Sequence, residues 1–202
     1  MKQRIVFIMN PISGTTNKAG IPELISSTLN QEQFSYEIAM TEYAGHAAEI
    51  ATRAKDDAVD VVVAIGGDGT VNEVARSIVH SHTALGIIPC GSGNGLARHL
   101  MLPMNLRKAI EVINNCEIHD LDYGIINEHP FFCTCGMGFD AFVSMKFAES
   151  NKRGPITYVE NILREGLKYK PETYEIEDET GLKRYKAFLI SCANASQYGN
   201  NA

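Results

Sequence analysis

The sequence predicts an α/β protein with two domains, a doubly wound parallel domain followed by a β-rich domain. Short apolar segments alternate with segments of helical periodicity as far as residue 115. Glycine-rich loops follow two of the apolar segments, and from residue 116 onward strand-like segments predominate. We therefore expect one domain at residues 1–115 and a second at residues 116–202.

In the first domain, each apolar strand is followed by a turn and then by a helical segment. The predicted strands are 4–9, 34–40, 61–65 and 85–89, and the predicted helices are 22–29, 46–57, 71–79, 96–100 and 106–114. This alternation is typical of a right-handed parallel sheet. Ligands of such sheets bind beyond the carboxyl ends of the strands, so the loops there are the candidate site.

One stretch, VVVAIGGDGTVNEV from Val61 to Val74, contains the strongest chemical signal. Its β-branched apolar run predicts a buried strand. The glycines that follow, Gly66, Gly67 and Gly69, let a ligand approach the main chain closely. Because the first amides of the next helix have no internal partners, this turn is a candidate phosphate site.

Asp68 lies among these glycines, and the helix start adds Thr70, Val71 and Asn72. A carboxylate beside a phosphate repels it unless a cation lies between them. Asp68 therefore implies Mg²⁺, held directly or through water. The alternative is that Asp68 only fills a tight turn, but a turn alone does not require three glycines and an acid.

Two other strand ends carry candidate residues. Asn10, Ser13 and Gly14 belong to the turn after the first strand, and Thr41 ends the second. The Ser13 hydroxyl and the main chain near Gly14 form a second candidate phosphate cradle. A plain strand-to-helix loop explains this turn equally well.

A second glycine loop, CGSGNG at residues 90–95, follows the fourth strand. Ser92 offers a hydroxyl to a phosphate, and Asn94 offers a donor and an acceptor. The loop is not a dinucleotide fingerprint, because Leu96 stands where the third glycine belongs. Either Ser92 or Asn94 alone is also explained as a helix cap.

Composition excludes several functions. A net charge of −6 and a pI near 5.5 argue against nucleic acid as the main partner and against strong electrostatic membrane attachment. No apolar segment approaches the roughly 20 residues that span a bilayer. We expect a cytoplasmic protein whose lipid contact is local and peripheral to the membrane. The five cysteines are expected to be reduced thiols and not a zinc site.

The second domain is predicted to pair strands 118–125 and 130–135, and a hairpin is predicted from strands 173–178 and 183–193. Helices are predicted at 141–148 and 155–170. The second helix has an apolar stripe, for which core contact is a more frequent use than membrane contact.

The order of these motifs resembles the catalytic domain of the diacylglycerol kinase family, which includes bacterial lipid kinases and sphingosine kinases. The resemblance rests on Asn-Pro-x-Ser-Gly at 10–14, Thr41, GGDGT at 66–70, and Pro-x-Gly-Ser-x-Asn at 89–94 followed by Leu-Ala-Arg. NAD kinases and phosphofructokinases share the first glycine loop but not the second. The family often has Asp where this chain has Gly95.

The resemblance implies the fold shared by NAD kinases and diacylglycerol kinases, an ATP site with Mg²⁺, and a lipid acceptor at the membrane surface. It implies nucleotide contacts from Asn10, Ser13, Gly14, Thr41, Gly66, Gly67, Asp68, Gly69, Thr70, Val71, Asn72, Ser92 and Asn94. It also implies that Asp140, in Gly-x-Gly-Phe-Asp-Ala, contacts the acceptor. Asp140 is also typical of a helix cap, and that role is compatible with acceptor contact.

In the family, further strands and an Asp-Gly segment with catalytic acids follow the segment at which this chain ends. The resemblance therefore implies an incomplete second domain, a fragment without full activity, and a general base beyond residue 202, for which Asp68 is the substitute. An open sheet edge in such a domain would favour a homo-oligomer.

The function expected from this resemblance is transfer of the γ-phosphate of ATP to the hydroxyl of a lipid such as diacylglycerol or a sphingoid base. One alternative is a kinase of a soluble substrate, similar to NAD kinase. Another is a non-catalytic nucleotide-binding fragment.

Overall fold

The structure is a computed structural model that describes residues 2–12, 17–139, 141–142, 145, 166 and 169–196. The described residues divide into two compact units. One holds the residues up to Cys133 together with those from Asn194, and the other is Thr134–Ala193. The domain boundary expected between residues 115 and 116 stays a prediction.

The first unit alternates strands and helices, as the sequence predicts. Its elements are β1 (Gln3–Met9), α1 (Ile21–Thr28), β2 (Phe34–Met40), α2 (His46–Asp56), β3 (Val61–Gly66), α3 (Asp68–Ile78), β4 (Ala84–Pro89), α4 (Gly95–His99), α5 (Leu106–Asn115), β5 (Gly124–Ile126) and β6 (His129–Phe131).

A four-stranded parallel sheet forms the centre of this unit, in the order β2-β1-β3-β4. Met9 at the end of β1 pairs with Met40 of β2 and with Ile65 of β3, and Ile65 pairs with Ile88 of β4. The strands therefore end at one common edge. The strand order reverses at β1, which makes the carboxyl edge near β1 and β3 the expected ligand crevice.

Helices cover both faces of the sheet. On one face, α2, α3 and α4 bury side chains that include Ile50 and Val74 against Val62 and Ala64 of β3. On the other face, α1 and α5 cover the remaining β3 residues, which include Val63. Because both faces of β3 are buried, its sequence is apolar without alternation. The predicted α/β class and doubly wound parallel sheet are confirmed.

The strand predicted at residues 118–125 is wrong over most of its length. Residues 117–123 form no regular structure, and only the short strand β5 follows them. Polar and apolar residues alternate around Leu121 as they do in a strand. Leu121 and Tyr123 instead pack against the core that lies between the sheet and helices α2, α3 and α4. The side-chain amide of Asn194 donates to the carbonyl of Asp122 at 2.7 Å.

In the second unit, β7 (Thr134–Gly138) pairs antiparallel with β10 (Leu189–Ala193), and β8 (Glu172–Asp178) pairs antiparallel with β9 (Gly181–Ala187). The β8–β9 hairpin confirms the one predicted from the sequence. The single strand predicted at 183–193 is instead divided at Phe188 into β9 and β10.

The helices predicted at 141–148 and 155–170 fall largely outside the described residues. Within the described ranges, none of the helices combines the length and apolar composition that crossing a bilayer requires.

We predict that Phe7→Ala lowers the free energy of unfolding by roughly 3–5 kcal/mol, because the ring is 0% exposed in the central strand and its loss leaves a cavity. Ile118→Ala is the control, since Ile118 is 65% exposed, and it should change that free energy by less than about 0.5 kcal/mol. Urea denaturation measures both values. Equal effects would contradict this account of the core.

Candidate functional site

A cavity of about 280 Å³ lies at the carboxyl ends of β1, β2 and β3. This is the edge at which the sheet order predicts a ligand. Five residues predicted from the sequence line the cavity: Asn10, Thr41, Gly67, Gly69 and Thr70. The other lining residues are Pro11, Ile12, Glu42, Tyr43, Ala44, Ala47 and Glu73.

Main-chain bonds that continue the sheet hold Asn10 and Thr41 in place. The amide of Asn10 donates to the carbonyl of Ile65 at 3.2 Å, and the amide of Thr41 donates to the carbonyl of Met9 at 2.9 Å. The Asn10 side-chain oxygen accepts from the amide of Ile12 at 3.1 Å, which turns the chain away from the sheet. The two residues are thus fixed at neighbouring strand ends.

The amino end of α3 also reaches this cavity. Gly67 is the N-cap in an extended conformation, and the first intrahelical bond runs from the amide of Val71 to the carbonyl of Gly67 at 3.1 Å. The amides of Asp68, Gly69 and Thr70 therefore have no partner within the helix. They and the helix dipole favour an anion at this end.

Three of the predicted α3 contacts, Asp68, Val71 and Asn72, do not line the cavity, and neither does Gly66. The Val71 side chain is buried in the core between the sheet and helices α2, α3 and α4, and its amide donates to the carbonyl of Gly67. Asn72 is exposed. The structure thus brings Gly67, Gly69 and Thr70 to the cavity, and the other predicted residues of the GGDGTVN segment lie outside its lining.

The two glycine loops lie against each other, main chain on main chain. A Cβ atom added to Gly91 would lie 2.5 Å from the Cα of Gly67, and one added to Gly66 would lie 2.6 Å from the Cβ of Thr70. The amide of Cys90 donates to the carbonyl of Gly66 at 2.8 Å. Glycine at position 91 therefore lets the loops touch, whereas glycine at position 66 makes room for Thr70 within its own loop.

Asp68 connects the two loops. Its Oδ2 accepts from the amide of Asn94 at 2.9 Å, and its Oδ1 accepts from the amide of Gly95 at 2.6 Å. Asp68 is thus the first residue of α3, and its carboxylate also binds the amides at the start of α4. The sequence interpretation of Asp68 did not include this bridge between loops.

Asn94 folds its own loop. Its Oδ1 accepts from the amide of Gly91 and its Nδ2 donates to the carbonyl of Gly91, both at 2.8 Å. Asn94 is buried and has a left-handed backbone with φ of 54°. Neither Asn94 nor the exposed Ser92 lines the cavity. The nucleotide contacts expected of them stay predictions.

The acidic and aromatic lining of the cavity was not predicted from the sequence. Glu73 accepts from the amide of Gly45 at 3.1 Å, which ties α3 to the loop before α2. Tyr43 stacks on His46 with ring centroids 4.5 Å apart, and its hydroxyl donates to Glu49 at 2.9 Å. That hydrogen bond raises the pKa of Tyr43.

A sequence signal existed for these residues. Glu73 follows Gly69 by four positions on a helix, so both lie on one face. Glu42 and Tyr43 directly follow the end of a parallel strand, where ligand-binding loops occur.

The residues near Asp68 fit one mode of Mg²⁺ binding. Among the described residues, no group of three or more His, Cys, Asp and Glu side chains is placed to hold a metal ion. Each Asp68 oxygen accepts one amide and keeps further lone pairs. This suits an ion bound mainly by water and phosphate with one carboxylate nearby, and does not suit an all-protein cage.

Two other titratable groups lie near the glycine loops. Burial and the Asp68 charge raise the pKa of the Cys133 thiol to about 11. Burial lowers the pKa of Lys18, and the neighbouring Cys90 opposes that shift. Ser13, Gly14 and Asp140, three of the predicted contacts, lie outside the described residues.

Comparison with known proteins decides the family. The diacylglycerol kinase catalytic domain matches residues 4–126, more than half of the chain. This chain belongs to that family. The match includes every motif discussed above except the segment around Asp140, and it confirms the resemblance inferred from the order of the motifs.

Curated relatives include diacylglycerol kinases of two staphylococci. That of Staphylococcus saprophyticus is 34% identical over 163 residues, which is 78% of this chain and 53% of the relative. That of Staphylococcus aureus strain MRSA252 is 33% identical over 165 residues, covering 78% and 51%. The chain thus spans about half the length of the curated relatives it matches.

A crystal structure of a diacylglycerol kinase from Bacillus anthracis superposes on this chain with a TM-score of 0.71. The two sequences are 22% identical, and the superposition covers 99% of this chain and 66% of the other. At this identity the likeness shows a shared fold. It agrees with the doubly wound sheet described above.

In this diacylglycerol kinase domain, we predict opposite effects for two glycine substitutions. Gly91→Ala forces Cβ into the Gly67 main chain and should lower the free energy of unfolding by about 1–3 kcal/mol. Gly69→Ala is the matched control, because its Cβ enters open space in α3, and it should raise that free energy by about 0.5–1 kcal/mol. Chemical denaturation measures both. A stable Gly91→Ala variant would contradict the loop contact.

We also predict slow alkylation of Cys133. With a pKa of about 11, its thiolate fraction at pH 8 should be roughly 100-fold below that of an ordinary thiol. Its labelling by iodoacetamide, followed by mass spectrometry, should accelerate about tenfold per pH unit between pH 8 and 10. The exposed Cys192 is the internal reference. Equal rates for both thiols at pH 8 would contradict the prediction.

Proposed function

We propose that this protein is an ATP-dependent lipid kinase, which transfers the γ-phosphate of ATP to the hydroxyl of a lipid such as diacylglycerol or a sphingoid base. The observation that carries the proposal is the cavity of about 280 Å³ at the carboxyl edge of the sheet, bordered by a helix N-terminus and a glycine loop. Membership of the diacylglycerol kinase catalytic domain family supports it.

The amides at the start of α3 are the proposed phosphate ligands. Asp68, Gly69 and Thr70 present main-chain donors that α3 itself leaves unused. An anion at this position gains both hydrogen bonds and the helix dipole. Asn10 and Thr41, at adjoining strand ends, are proposed to position the rest of the nucleotide.

Asp68 is proposed to have two roles, one in positioning the second glycine loop and one in neutralising phosphate charge through Mg²⁺. By binding the amides of Asn94 and Gly95, it holds the second glycine loop against the first. It is also the proposed carboxylate beside Mg²⁺, which when bound neutralises charge on the β- and γ-phosphates. Phosphoryl transfer requires positioning and electrostatic stabilisation more than covalent help, so a rigid double loop suits the reaction.

In the proposed reaction, the lipid hydroxyl oxygen attacks the γ-phosphorus in line and ADP leaves. The hydroxyl loses its proton to a carboxylate. Asp68 is the proposed acceptor within the described residues because it lies at the junction of both glycine loops. Asp140 stays a proposed contact of the lipid acceptor.

The acceptor is tested by offering γ-labelled ATP and Mg²⁺ to the purified complete protein with diacylglycerol, sphingosine or NAD in parallel. Label in a lipid product is the expected result. Label only in the NAD product would overturn the lipid assignment. Binding of ATP without transfer of label to any acceptor would favour the non-catalytic nucleotide-binding alternative.

We predict that Asp68→Asn in the complete protein lowers turnover by about 10²-fold or more, because one carboxylate oxygen becomes an amide donor facing main-chain N–H groups. Circular dichroism should show an intact fold. Asp56→Asn is the matched control: its side chain is exposed at the end of α2 and pairs only with Lys55 among the described residues. It should retain full turnover. Near-normal turnover of Asp68→Asn would refute the role of the carboxylate.

A further inference from the structure

Two cysteines face each other across the β7–β10 pair of the second unit. Cys135 is the direct partner of Cys192 in the antiparallel register. Two residues from this pair on each strand, the amide of Asn194 donates to the carbonyl of Cys133 at 2.7 Å. The alternation of antiparallel bonding therefore puts the two cysteines at a hydrogen-bonded position, where Cα atoms lie about 5.5 Å apart. Disulfides span Cα separations of roughly 4.4–6.8 Å.

The two thiols also interact. Opposed residues of an antiparallel pair point to the same face. Burial, the Cys192 charge and a hydrogen bond with Cys192 raise the pKa of Cys135. Cys192 is exposed and Cys135 is half-buried, so a small oxidant can reach the pair from solvent.

The other three cysteines lack this arrangement. Cys90 is buried after β4, Cys116 ends α5, and Cys133 adjoins Gly95. In the described strands, the registers bring no second pair of cysteines into opposition. Any intramolecular disulfide should therefore be selective for one pair.

We propose that Cys135 and Cys192 form a reversible disulfide that joins β7 to β10. The oxidant is a low-molecular-weight disulfide. The exposed Cys192 thiolate attacks one of its sulfurs and releases one small thiolate. The Cys135 thiolate then attacks the Sγ of Cys192 in the mixed disulfide and releases the second. Two electrons pass from the cysteines to the oxidant, and the two cysteine protons end on the released thiols or in solvent.

The position of the bond gives it a structural effect. The chain enters the second unit at β7 and leaves it at β10. A bond between these strands closes the chain between them into one loop, which restricts the unfolded state and stabilises the folded one. Cβ atoms at opposed positions start about 4.5–5.5 Å apart, wider than the roughly 3.8 Å of a disulfide. The bond therefore pulls the strands together and is readily reduced.

The test is oxidation of the purified protein with glutathione disulfide at pH 8. The expected result is loss of two free thiols, a Cys135–Cys192 linked peptide in mass spectrometry, and a thermal midpoint higher by about 5 °C. Dithiothreitol should reverse all three. Oxidation should accelerate as the pH rises, because the second step needs the Cys135 thiolate.

Cys135→Ser and Cys192→Ser should each abolish the bond and the thermal shift, whereas Cys116→Ser should keep both. In dithiothreitol, both serine variants should melt within about 1 °C of the unaltered protein, which separates the bond from any role of the thiols in folding. Retention of all five thiols, a persistent mixed disulfide on Cys192, or a covalent dimer in place of the internal bond would overturn the proposal.

Discussion

The contact between the two glycine loops is the constraint on which the site depends. Gly67 and Gly91 meet main chain to main chain, at a distance that no side chain permits. Asp68 then binds the amides of Asn94 and Gly95 across this contact. Close approach and charge-assisted hydrogen bonds thereby support each other, because the carboxylate reaches both amides only when the loops touch.

The contact between the glycine loops lies at the carboxyl edge of the sheet, because the loops follow the neighbouring strands β3 and β4. Parallel strands in close register end at one edge, and helices cover both faces of the sheet. The start of α3 joins the edge directly from β3, with Gly67 between them. A strained or mobile loop is not needed to form the candidate phosphate site, since a strand, one residue and a helix form it.

The acidic lining distinguishes this cavity from a simple anion pocket. Glu42 and Glu73 line the cavity together with residues from the amino end of α3. Glu73 is held by the amide of Gly45, so part of its charge stabilises the loop before α2. A cavity with both amide donors and carboxylates suits a ligand that brings cations with its phosphates.

The sequence by itself determined the α/β class, the order of the strands along the chain, and the family, because apolar periodicity and loop composition are local properties. It also located, through its glycines, the loop that begins α3. It misjudged residues 118–125, where Asp120 and Asp122 around Leu121 imitate a strand that has no partner. Only the tertiary structure decided that Asp68 binds a loop 26 residues away at Asn94, since a side chain's long-range partner depends on which strands become neighbours.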